Sequence, residues 1–149
     1  MKIVLLAALT LMSCSTALAG KCAVVRPFVE TAQAAPLVVQ ATVLRHVPTL
    51  LPPGFVEVRV KAVYRGAPTS MTLRVFDAAT SEPVQPATAL PDGSTWIMAL
   101  EPTSGGEGYR FLPCANAFGA LVGRAVFANA YGNQDVLLPL DELRGLLRR

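Results

Sequence analysis

The sequence predicts a small, mainly β domain, a barrel or a sandwich with a short helix at each end, that works outside the cytoplasm. Three observations carry this. Val56, Val58 and Val60 alternate with Glu57, Arg59 and Lys61, the period of two of a strand with one buried face. Short runs of the same kind recur between turns marked by Pro and Gly, about five to seven strands in all. The opening residues have the layout of an export leader.

The elements follow in order. Pro27 suits the first turn of a helix, so Phe28 to Ala34 read as a short helix that Pro36 closes. Leu37 to Arg45, with Val38, Val39, Thr42 and Val43, form a β-rich run, and Pro48, Pro52, Pro53 and Gly54 mark the loop after it. The alternating strand begins at Val56 and runs through Tyr64 to a turn at Arg65-Gly66. Met71, Leu73 and Val75 make its hairpin partner. Asp77 to Gly93 carry three prolines and little periodicity, which predicts a long surface loop. Thr95 to Leu100 and Tyr109 to Leu112 read as strands joined across Gly105-Gly106. Arg124 to Tyr131 and Val136 to Leu138 form a further hairpin around Gly132-Asn133. Asp141 is placed to cap a last helix over 142–148, with Leu143, Leu146 and Leu147 on one face. The chain has no internal repeat and no charge block.

The leader has a positive start at Lys2 and an apolar run from Ile3 to Met12. It ends at Ala17-Leu18-Ala19, an A-x-A cleavage site. The run is too short to span a membrane, which takes about 18 or more apolar residues. Residues 1–19 are therefore expected to be a signal peptide and 20–149 a single domain, secreted or periplasmic. That placement excludes most nucleotide-driven chemistry. Cleavage removes Cys14 and leaves Cys22 and Cys114, which in an oxidising compartment most simply bond to each other. Such a bridge closes a loop of about 90 residues, worth roughly 4–5 kcal/mol in the chain-entropy account. A competing cut exists. Leu11-Met12-Ser13-Cys14 loosely fits a lipobox, in which Cys14 is acylated and the protein is an outer-membrane lipoprotein.

Lys2 is the only charge lost with the leader, so 12 basic residues face 10 acidic ones. That balance is too mild to argue for nucleic acid or for strong attraction to anionic lipid. Acid–base groups are sparse and unclustered, so no catalytic residue, cofactor or metal is expected. His46, the only histidine, reads as a solvated histidine at a strand end. The Glu57, Arg59, Lys61 stripe reads as the wet face of a strand, with contact to an acidic partner as its functional version. Tyr64, Phe76, Trp96, Tyr109 and Phe111 read as core rather than as stacking platforms. Leu50 and Leu51, apolar residues in the Pro-rich loop, fit a partner contact as well as a fold-back over the barrel end.

Several local patterns together resemble a known family. A cysteine follows the leader. Then come "AAPLVVQATVL", "VEVRVKAVYRGAPTSMTLRV", "PDGSTWIMAL" and "GYRFLPC", in that order. This is similar to the netrin-like domain, the OB-fold barrel of tissue inhibitors of metalloproteinases, over Gly20 to Cys114. The resemblance implies a small closed OB-fold-like barrel, with Cys114 as the partner of Cys22. It also implies a non-catalytic module that binds an extracellular or periplasmic protein such as a protease. The contact edge would be Gly20, Lys21, Cys22 and Ala23 together with loops 47–54 and 77–93. The family's inhibitors begin Cys-x-Cys and bind the target's zinc through the first residue. Here Gly20-Lys21-Cys22 stands instead, so Gly20 is not clamped and Lys21 brings a charge to an apolar pocket. Any inhibition is therefore expected to be weak. The alternative is a lipid-anchored or structural envelope protein with no inhibitory role.

Overall fold

The computed structural model describes residues 22–49, 54–78 and 85–149. The signal-peptide and lipobox expectations, with Cys14, Gly20, Lys21, Leu50 and Leu51, lie outside those residues.

The helix after Pro27 forms as expected, α1 over Phe28–Ala34. Next come β1 (Leu37–Val47) and β2 (Phe55–Arg65), two long antiparallel strands, then β3 (Thr72–Phe76) antiparallel to β2. The alternation of β2 is obeyed: Val56, Val58 and Val60 are buried, while Arg59 and Lys61 are exposed. β4 (Thr95–Pro102) pairs with β1, and β5 (Tyr109–Phe111) pairs antiparallel with β4 and parallel with β3. The order β1-β2-β3-β5-β4 therefore returns to β1 and closes a five-stranded barrel, the fold class expected.

Three further strands extend the sheet from β4: β6 (Phe118–Val122), β7 (Ala125–Ala128) and β8 (Val136–Pro139). The β7–β8 hairpin was expected from the sequence, whereas β6 was not. The last helix, α2, covers Leu140–Leu147 and starts directly after Pro139. Asp141 makes no capping bond. It pairs instead with Arg124 and Arg144. The helix start is set by the strand before it, since the Leu140 N–H donates to the Arg124 carbonyl.

Two hydrophobic cores result, and β1 and β4 serve both. Val39, Ala41, Val43, Met98 and Leu100 point into the barrel with Val56, Val58, Leu73, Val75 and Phe111. Val38, Ile97 and Ala99 point outward, against Phe28 and Ala32 of α1, Val126 of β7, Leu138 of β8, and Leu143 and Leu147 of α2. β4 is thus buried on both faces over four successive residues, Ile97 to Leu100. That is why "WIMAL" reads as a continuous apolar run rather than an alternating one.

Candidate functional site

Cys22 and Cys114 are bonded, with a Cα–Cα distance of 5.3 Å across 92 residues of chain. The bridge fixes the start of the described chain beside the strand that ends at Phe111. Arg26 and Ala115 continue the contact as a parallel bridge, in which the Arg26 N–H donates to the Cys114 carbonyl and the Asn116 N–H to that of Arg26. Ala23, beside the bridge, is exposed.

The described end of the 77–93 segment, from Gln85, is more than a surface loop. Ala87–Ala89 form a 3-10 turn whose Ala87 and Leu90 are buried at the end of the barrel core. Side chains tie this turn down on two sides. Asp77 Oδ1 accepts from the Ala87 N–H at 2.5 Å. On the other side His46 lies at 3.3 Å through Nε2 from the Ala87 carbonyl, and at 2.8 Å through Nδ1 from Asp92 Oδ1. Both of these partners are acceptors. The sequence reading places His46 in solvent at a strand end, and the structure agrees in both respects. β1 extends to Val47, and His46, one residue from its end, is exposed and makes contacts through both ring nitrogens.

Between this turn and the β1–β2 connection lies an open cleft of about 430 Å³. Val47, Pro48, Phe55 and Val56 form its apolar wall, and Asp77, Ala87 and Thr88 line the opposite side. Gly54 allows the two strands to approach there, because a Cβ on it would lie 2.6 Å from the Val47 carbonyl oxygen. The volume is in the range of small-ligand and side-chain pockets, and the mouth of a barrel is a common place for one.

Of the predicted contact edge, the structure brings Val47, Pro48 and Gly54 together with Asp77, Ala87 and Thr88 at this cleft. Cys22 and Ala23 do not line it. They lie at Cys114, and Gln85 ties the segment that leads into the cleft wall to the backbone shortly after Cys114. The Gln85 side chain accepts from the Ala117 and Phe118 N–H groups at 2.7 and 3.1 Å and donates to the Phe118 carbonyl at 3.1 Å, just beyond Cys114. Two residues on, Ala87 enters the cleft wall. Sequence reasoning missed Gln85 and Asp77, since no motif marks a glutamine or an aspartate that bonds to distant backbone.

Among the described residues no group of three or more His, Cys, Asp or Glu is close enough to hold a metal ion, and no helix is long and apolar enough to cross a membrane. No protein-family profile matches the chain, and no curated protein or solved structure gives a significant match to it.

Proposed function

We propose that this chain is a non-catalytic protein-binding module of netrin-like type, secreted or periplasmic, whose contact edge is the end of the barrel where loops 47–54 and 77–93 meet. The observation that carries this reading is the largely apolar cleft among the described residues of these segments. The turn at Ala87 is held by two side chains, Asp77 and His46, which lowers the ordering cost of binding. The Cys22–Cys114 bridge supports export, because such bonds persist in oxidising compartments. Weak metalloprotease inhibition is the finer version of the proposal. In it the Gly20 amine, two residues before the bridge, completes the target's zinc shell, and the cleft accepts an apolar side chain of the same partner.

The test is a panel of zinc proteases challenged with wild type, an N-acetylated form, and Thr88→Arg, which fills the cleft. Inhibition weakened by both changes supports the whole reading. Inhibition that survives acetylation rejects chelation. Inhibition that survives Thr88→Arg rejects the cleft as the contact. No inhibition of any protease rejects the inhibitor version.

A further inference from the structure

The net charge of this chain understates how its charge is arranged. On the outward face of β1, β2 and β3 the register sets Thr42 opposite Arg59, Arg59 opposite Thr72, and Glu57 between Arg45 and Arg74. Lys61, the extra residue where β2 bulges against β1, continues the line two residues beyond Arg59, about 7 Å along the strand. Arg59, Lys61, Arg74 and Arg45 are all exposed. Four cations therefore share this face with one carboxylate, while the other described residues carry seven cations and eight carboxylates. The positive balance of the described chain lies entirely here.

The lone acid does not offset the rest. Glu57 is held by Arg45 at 2.6 Å, and Arg45 and Arg74 both draw its carboxyl below the ordinary value. Arg59 and Lys61 have no ion-pair partner among the described residues.

We propose that this face docks on an anionic lipid membrane. Three features favour that occupant. The cations lie on adjacent strands of one continuous sheet and can meet a planar surface together. The recess at its β3 edge, lined in part by Thr72 and Arg74, is small, about 160 Å³ against the roughly 300–1,000 Å³ of ordinary ligand pockets, whereas mobile headgroups rearrange to meet fixed cations without one. The aromatic ring there, Phe55, has the Arg74 guanidinium 5.4 Å above its centroid, so it offers no open platform for nucleic-acid bases. Each basic residue near an anionic surface favours binding about fivefold (about 1 kcal/mol). The attachment is therefore weak, reversible and sensitive to salt. It adjoins the cleft at Phe55, which lines both, and needs no partner protein.

The experiment is co-sedimentation of the full chain with vesicles of phosphatidylcholine alone and of phosphatidylcholine mixed with phosphatidylglycerol, at low and physiological salt. Binding is expected to rise with phosphatidylglycerol and fall with salt. Arg59→Gln with Lys61→Gln should lower the partition coefficient about 30-fold, since both residues are on the face. Arg124→Gln with Arg149→Gln makes the same change in net charge off the face and should cost no more than about threefold. Circular dichroism of both double variants checks that they fold. Equal binding to neutral and mixed vesicles overturns the proposal, and so does an equal loss in the two double variants. Binding to soluble polyphosphate without binding to vesicles would assign the face to a different polyanion and also overturns it.

Discussion

Gln85→Ala tests whether the 77–93 segment is a structural part of the barrel. The Gln85 side chain serves three backbone groups where β5 has ended and β6 begins, two N–H groups and one carbonyl. Ala117 and Phe118, which own those groups, are buried. Each bond contributes about 1 kcal/mol net, and a buried group left without a partner costs about 1–3 kcal/mol. The alanine variant should therefore lose about 3 kcal/mol, less wherever water reaches the vacated groups. Gln85→Glu separates the contributions. Its carboxylate still accepts from both N–H groups but now faces the Phe118 carbonyl with an acceptor, so about 1 kcal/mol should be lost. Urea unfolding with linear extrapolation reads both values, and an unchanged slope excludes a denatured-state effect. The reasoning fails if the alanine variant stays within about 0.5 kcal/mol of wild type, or if the two variants are equally destabilised.

Replacing both bridge cysteines, Cys22→Ser with Cys114→Ser, should lower stability by roughly 4–5 kcal/mol, because the bond closes a loop across 92 residues. Urea unfolding of the double variant and of reduced wild type should agree, and a loss under about 1 kcal/mol would remove the chain-entropy account. The Arg45–Glu57 pair makes a pH prediction. The hydrogen bond from Arg45 is the largest cause holding the Glu57 carboxyl below its ordinary value. A depressed folded value means that the stability contributed is present above the unfolded glutamate value and is lost as pH falls through the folded one. Arg45→Gln should move the Glu57 titration upward, followed by the NMR shift of its carboxyl carbon, with Arg74 left to provide the weaker remaining depression. An unmoved midpoint would show that Arg45 does not control this carboxyl.

What was legible in the sequence follows the local signals. α1 runs over the predicted residues because Pro27 and Pro36 bracket it. β2 was legible because one of its faces is wet, so burial and alternation coincide. β6 was not, because Phe118 and Gly119 are both buried and the run from Ala117 to Val122 shows no polar alternation. Gly119 looks like a strand breaker. Its reason is tertiary: a Cβ there would lie 2.5 Å from Val126 Cγ2 on the neighbouring strand. The cleft was half legible. Prolines located both loops, but nothing local marks that Ala87 and Leu90 close the barrel or that Asp77, His46 and Gln85 hold the segment in place.

The two cores constrain where this chain can meet anything else. An isolated five-stranded barrel would present its outer wall on every side. Here β1 and β4 spend much of their outer faces on the second core, since Val38, Ile97 and Ala99 pack under α1, α2, β7 and β8. The barrel wall left uncovered is that of β2 and β3 with the far end of β1, where Arg59, Lys61, Arg74 and Arg45 stand exposed. Its end carries a recess lined by the described residues Val47, Pro48, Gly54, Phe55, Asp77, Ala87 and Thr88. An apolar recess at the mouth suits a directional, shape-dependent contact, while an exposed cationic wall suits a diffuse, salt-dependent one. Thr88→Arg changes the recess and leaves the wall intact, whereas Arg59→Gln with Lys61→Gln does the reverse. If partner binding and vesicle binding respond to both sets of variants alike, the division into two surfaces is wrong, and a single extended interface must run from the mouth across β2.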